Sequence, residues 1–182
     1  MKRLLLFFFL LAGMAAYSQP FYGRTTGPLP YLNYGLGEDR LGGAKMGFLD
    51  SNVLVVVMDS VKTDYKVQLS KNHFAYLPKS SFKRLDSIKL QPFYLTNSWR
   101  VWGDGVYDYV SVSLTEKLPY RSIQQIDPAR IVVDVFGVTS NTNWITQLKT
   151  VKEIKNVWYE QIEDDVFRVF IELKHGQHWG YG

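Results

Sequence analysis

The sequence predicts an all-β protein of two modules, a small barrel followed by a sandwich of antiparallel sheets. Short runs rich in β-branched and aromatic residues recur between clusters of Gly, Pro, Asn, Asp and Ser, and they alternate apolar with polar side chains or are continuously apolar. The clearest is Asp127-Pro128-Ala129-Arg130-Ile131-Val132-Val133-Asp134-Val135-Phe136-Gly137, where a proline opens and a glycine closes the run. As a strand it puts Ile131, Val133 and Val135 on one face, expected to meet a core. Arg130, Val132, Asp134 and Phe136 share the other, expected to be wet or ligand-bound.

At 182 residues and 46% hydrophobic, the chain has room for one domain or two small ones. Residues 1–18 read as a signal peptide: Lys2 and Arg3 give a positive start, Leu4 to Ala12 an apolar run, and Ala16-Tyr17-Ser18 a small-residue cleavage site. A membrane anchor is the competing reading, but a spanning helix needs about 20 apolar residues and Gln19-Pro20 ends this run sooner. The expected destination is the periplasm or cell surface, with no stable membrane anchor after cleavage. The chain has no cysteine, so neither a lipid-bearing cysteine nor a disulfide is available and stability must come from packed cores. Removing Lys2 and Arg3 leaves 19 basic against 17 acidic side chains, a net of +2. So even a balance argues against a nucleic-acid partner.

Residues 19–90 are expected to form an N-terminal arm and the small barrel. The arm is rich in Gly, Pro, Tyr and Thr, with Pro28-Leu29-Pro30 and Gly35-Leu36-Gly37 as punctuation. Met46 and Phe48 then precede an Asp50-Ser51-Asn52 turn and the apolar run from Val53 to Met58. Tyr65, Val67 and Leu69 alternate with polar partners, Ser70-Lys71-Asn72 turns the chain, and Phe74 and Tyr76 alternate again before Pro78. Tyr65, Phe74 and Tyr76 are expected in the core. Tyr65-Lys66-Val67-Gln68-Leu69 followed by Ala75-Tyr76-Leu77-Pro78 resembles the closing strands of bacterial SH3-type domains, which bind peptides in some proteins and act as spacers in others.

A boundary is expected in the polar stretch from Asp86 to Pro92, with residues 91–182 forming the sandwich. Leu95 to Trp102 should turn through Gly103-Asp104-Gly105 and return as Val106 to Leu114, and Ile154 to Gln161 should turn through Glu163-Asp164-Asp165 and return as Val166 to Leu173. Period two then gathers Val110, Val112, Leu114, Ile131, Val133, Val135, Phe167, Val169, Ile171 and Leu173 into one core. The outer surface is left with Arg100, Trp102, Tyr107, Tyr109, Arg168 and Phe170, and Trp102 and Tyr107 are expected to be cross-strand neighbours. Trp179-Gly180-Tyr181-Gly182 reads as the start of a further strand, so the module is expected to be truncated at its C-terminal end.

The strand at 130–136, together with Tyr120-Arg121-Ser122, the turn Asn141-Thr142-Asn143-Trp144 and Val157-Trp158-Tyr159-Glu160-Gln161, resembles the AMIN domain. This is the non-catalytic targeting module that precedes the zinc hydrolase domain of bacterial N-acetylmuramoyl-L-alanine amidases. The resemblance implies peptidoglycan as partner, with envelope or division-site proteins as further candidates. It also implies a zinc, held by two histidines and a glutamate, in a catalytic domain outside these residues.

No catalytic or metal-binding residues are assigned within the chain itself. His73 lies far along the sequence from His175 and His178, whose spacing is not the helical i, i+4 that fixes two imidazoles on one metal. There is no cysteine nucleophile and no Gly-x-Ser-x-Gly elbow, and Glu163, Asp164 and Asp165 read as a solvated turn. Flat aromatics beside arginines suit sugar faces and carboxylates, so Arg100, Trp102, Tyr107, Tyr109, Arg168 and Phe170 are the expected wall-binding residues. A stand-alone exported adaptor for a protein partner is the alternative reading. A single-strand nucleic-acid binder and a small hydrolase fit less well, on charge and on the missing acid or metal site respectively.

Overall fold

The computed structural model describes residues 19–37, 43–87, 91, 94–142, 144–147, 149–177 and 180. The expected signal peptide, part of the expected boundary stretch, Asn143, His178 and the strand start at Trp179 lie outside them.

Seven strands make the first sheet: β1 (Phe21–Thr25), β2 (Tyr31–Asn33), β3 (Lys45–Phe48), β4 (Leu54–Val61), β5 (Asp64–Gln68), β6 (Phe74–Pro78) and β7 (Phe82–Arg84). They pair in the order β3-β2-β6-β5-β4-β1-β7, an open path that ends on β3 and β7 rather than the closed barrel expected. Leu32, Val55, Val57, Val67, Ala75 and Leu77 meet in its core. Tyr65 reaches that core beside Phe21 and Phe82, but Phe74 is exposed and Tyr76 only half-buried. The pairing explains the inversion. Val67 faces inward, and its partner across the ladder is Ala75, so Ala75 and Leu77 point in and the larger rings point out.

The second half holds β8 (Tyr94–Gly103), β9 (Asp108–Leu114), β10 (Tyr120–Gln125), β11 (Arg130–Phe136), β12 (Val138–Thr139), β13 (Thr146–Gln147), β14 (Ile154–Glu163) and β15 (Val166–Leu173). One sheet is antiparallel, in the order β10-β11-β15-β14, while the other places β8 between β12 and β13 and adds β9. This second sheet is mixed, correcting the all-antiparallel expectation, because β12 and β13 both run parallel to β8. The chain leaves β11 through Gly137, whose φ of 75° is open to glycine at little cost, and crosses at once to the facing sheet.

The sandwich core is the predicted one. Ile131, Phe167, Val169 and Leu173 are buried, and Val110, Val112, Leu114, Val133, Val135 and Ile171 pack against them. Trp99 and Tyr159 complete it. Their rings stack at 5.6 Å, and Trp99 meets Phe167 edge-on at 5.4 Å.

The other face of β11 departs from expectation, because it is not wet. Val132, Asp134 and Phe136 are 7%, 2% and 1% exposed. Phe136 and Val166 belong to the core of the first sheet. Several polar links join the two halves beside them. Arg24 grips Glu116 through two hydrogen bonds of 2.7 and 2.9 Å, His73 meets Glu163 at 2.8 Å, and the Lys71 amide donates to Asp165 at 2.7 Å.

Asp134 is held between two arginines. Arg168 binds it through Nε at 2.6 Å and Nη2 at 3.0 Å, and Arg121 donates from the other side while also reaching the Tyr34 hydroxyl at 3.2 Å. Burial alone would push the Asp134 carboxyl up, but the hydrogen bonds and charges of Arg168 and Arg121 outweigh it and hold the group below the usual carboxylate range. The Arg24 hydrogen bond lowers Glu116 in the same direction.

Both carboxyls are depressed in the fold, so their contribution is complete above the pKa of the unfolded chain and fades as pH falls through the lowered folded values. Stability is therefore expected to drop on acidification below the ordinary carboxylate range. Asp134→Asn should cost about 3–5 kcal/mol at neutral pH by leaving two arginines facing each other. It should also flatten the acid limb, read by urea unfolding as a function of pH. Phe136→Ala is expected to cost a further, separate ~3–5 kcal/mol in the same assay, since it empties the join between the two halves.

Candidate functional site

The β8–β9 hairpin presents a row of aromatic side chains away from the core. Alternation sends Trp99 and Val101 inward, leaving Arg100 and Trp102 outside. Trp102 pairs across the ladder with Tyr109, and not with Tyr107 as the sequence suggested. Their rings stack at 5.0 Å with 17° between planes, the Arg100 guanidinium lies 5.0 Å over the Trp102 ring, and Tyr107 stands edge-on to Tyr109 at 6.4 Å. Tyr107 is 66% exposed. The result is a ladder of Arg100, Trp102, Tyr109 and Tyr107 along one outer face.

Asp104 sets the hairpin that carries this ladder. One of its carboxylate oxygens accepts the Val106 and Tyr107 amides at 2.8 Å each, and the other accepts the Tyr109 hydroxyl at 2.7 Å. Those donors bring its carboxyl down to about 2, with the Tyr107 amide the largest influence, and the same bond to Asp104 raises the Tyr109 hydroxyl. Gly105 takes the positive φ, 94°, that the tight turn requires. Gly103 is needed for a different reason: a Cβ there would sit 2.6 Å from the Thr150 carbonyl oxygen. Asp108 fastens the hairpin to the facing sheet by accepting the amides of Lys152, Glu153 and Ile154 at 2.7 to 3.1 Å.

Arg168 and Phe170 lie elsewhere. They occupy the outer face of the β10-β11-β15-β14 sheet, with the sandwich core between them and the ladder. Arg168 is taken up by Asp134, and Phe170 is only 8% exposed, beneath Trp158 (4.9 Å, 12°) and Arg130 (5.4 Å). Four of the six expected residues are thus brought together and two are drawn into the fold. Of the histidines, His73 pairs with Glu163 and His175 with Glu153 at 2.9 Å. No three metal-ligating side chains converge among the described residues.

Beside the ladder, β8 carries one extra residue. Thr96 pairs with Leu114 and Trp99 with Val112, so Asn97 and Ser98 bulge outward while Thr96 and Trp99, three apart, both turn in. The turn at Asn141 and Thr142 closes over this bulge. Thr142 Oγ1 donates to the Asn97 carbonyl at 2.7 Å, which leaves the Thr96 hydroxyl to donate to Thr142 Oγ1 at 3.1 Å. Thr96 Oγ1 in turn accepts the Asn141 amide at 3.0 Å, and the Tyr159 hydroxyl reaches the Thr142 carbonyl from the core. Between bulge and turn lies a cleft of about 550 Å³, with Arg100 and the 72% exposed Trp144 on its walls. Sequence reasoning picked out the Asn141 to Trp144 turn without seeing a cleft, because its other wall is a register shift that period-two reading does not detect.

Thr96→Val keeps the side-chain shape and deletes both its hydrogen bonds. It is expected to destabilise the fold by about 1–3 kcal/mol, through the unpaired Asn141 amide. In proton NMR it should broaden or shift the Asn141 and Thr142 amides while leaving the β10-β11-β15-β14 sheet unmoved.

Residues 98–181, which take in the hairpin from Ser98 onward, the cleft turn and the β10-β11-β15-β14 sheet, match the AMIN domain. AMIN domains occur in amidases and other peptidoglycan-associated proteins of the periplasm. No helix among the described residues is long and apolar enough to cross a membrane. Neither the curated proteins nor the solved structures provide a match to the chain.

Proposed function

We propose that this chain is the non-catalytic cell-wall targeting region of an N-acetylmuramoyl-L-alanine amidase. After export and removal of residues 1–18, an SH3-type module (residues 19–90) and an AMIN module (residues 91–182) together hold the enzyme on peptidoglycan. Cleavage of the amide between the muramyl lactyl group and L-alanine falls, in this reading, to a zinc hydrolase domain outside these residues.

The observation that carries this reading is the ladder of Arg100, Trp102, Tyr109 and Tyr107, within the stretch that matches the AMIN domain. Its rings offer flat apolar faces to sugars. Arg100 has no acidic partner among the described residues, so its guanidinium is available to a carboxylate of the wall polymer.

An exported adaptor for a protein partner is the second reading, and one observation favours it. Strand β9 pairs only with β8 among the described residues, and its Val110-Ser111-Val112-Ser113 stretch bears no charge or proline to deter an added strand.

Purified protein is expected to sediment with insoluble peptidoglycan at low salt and to release no peptides from it. Replacing Trp102 and Tyr107 together with alanine should weaken sedimentation about tenfold or more, the loss expected from removing aromatic anchors, with thermal unfolding little changed. Unaltered sedimentation of the double variant would remove the ladder from the binding surface. Failure of the unmodified protein to sediment would favour the adaptor.

A further inference from the structure

We infer that the cleft between the Asn97–Ser98 bulge and Trp144 is a second binding site, fitted to an N-acetylated amino sugar bearing a free carboxylate. In the wall polymer that unit is a muramyl residue whose stem peptide has been removed. The inference rests on the wall-binding reading for the identity of the polymer, and adds to it a preference for peptide-free glycan.

Three features of the cleft support this. Its volume, about 550 Å³, falls within the range of small-ligand sites. Trp144 offers, on the wall of the cleft, a ring that is 72% exposed and open to stacking. Around it the lining is almost wholly neutral and hydrogen-bonding, through Asn97, Ser98, Asn141 and Thr142, which matches hydroxyl and acetamido groups.

Charge then narrows the ligand. No acidic side chain lines the cleft among the described residues, and Arg100 is its one cation. A lactyl group linked to a stem peptide is a neutral amide, whereas a lactyl group freed of the peptide is a carboxylate that Arg100 can pair with through two hydrogen bonds. The walls are held before any ligand arrives, since Thr96 and Thr142 bind the turn to the bulge and Tyr159 ties the turn to the core. A sugar entering the cleft therefore meets groups already ordered.

Because the cleft shares Arg100 with the ladder, a glycan strand can lie across both. One sugar would occupy the cleft and its neighbours the rings of Trp102 and Tyr109.

The test is titration of the purified protein, followed by tryptophan fluorescence, with three probes: N-acetylglucosaminyl-N-acetylmuramic acid, N,N′-diacetylchitobiose, and the free stem peptide. The carboxylate-bearing disaccharide is expected to give a saturable change. Chitobiose should bind about tenfold more weakly, and the peptide should give no response. Trp144→Ala should abolish the titration without altering thermal unfolding, and Arg100→Gln should bring the two disaccharides to the same affinity.

Equal binding of the two disaccharides to the unmodified protein, an unchanged titration in Trp144→Ala, or a response to the stem peptide alone would each overturn the inference. Sedimentation with whole peptidoglycan, run beside the titration, separates this outcome from the broader reading. Sedimentation without disaccharide binding rejects the cleft and leaves wall targeting standing, whereas disaccharide binding without sedimentation supports the cleft and rejects targeting.

Discussion

The structure depends on β11 being covered on both faces. Ile131 lies in the sandwich core, while Phe136 reaches into the core of the first sheet and Asp134 is closed in by Arg121 and Arg168. A strand half-buried on one side can tolerate a mobile neighbour. One buried on both sides cannot, because separating the two halves would expose the Phe136 ring and open the surroundings of a buried carboxylate. The polar links from Arg24, Lys71 and His73 lie around this join and are secondary to it. Ion pairs of this kind add little where water reaches them, so most of the adhesion comes from apolar burial.

That constraint decides which surface is left for a ligand. With the outer face of the β10-β11-β15-β14 sheet engaged by the first sheet at one end and Phe170 covered by Trp158 and Arg130 at the other, the hairpin of the opposite sheet carries the exposed Tyr107 and the stacked Trp102 and Tyr109. Its hairpin is fixed by two carboxylates that accept backbone amides, Asp104 at the tip and Asp108 at the base. The bulge at Asn97 and Ser98 serves a related end. It lets Thr96 and Trp99 face the same way, which supplies the cleft with both a hydrogen-bonding anchor and an aromatic floor.

Much of this was legible in the residues. Both long hairpins, the run from Arg130 to Phe136 and the roster of core side chains follow from alternation and turn chemistry, which act over a few residues. Reading went wrong where a single residue shifts the register or a distant strand chooses the side. Phe74 looked like core and lies outside, because Val67 across the ladder dictates that Ala75 points in. Tyr107 looked like the partner of Trp102, yet the length of the Asp104 turn gives that place to Tyr109. The six residues expected on the outer surface all alternate correctly, but they belong to two surfaces with a core between them.

What the sequence determined by itself is local: where strands run, where they turn, and which side chains share a face, since pleat and turn geometry are fixed by neighbouring residues. What only the tertiary structure decided is which of two equally patterned faces stays open. Arg168 and Phe170 have the same alternation and much the same chemistry as Arg100 and Trp102. They are withdrawn because Asp134 sits opposite one and Trp158 beside the other, contacts made across strands far apart in the chain. Period two assigns a side chain to a face and carries no record of what packs against that face, which is set by burial summed over the whole molecule.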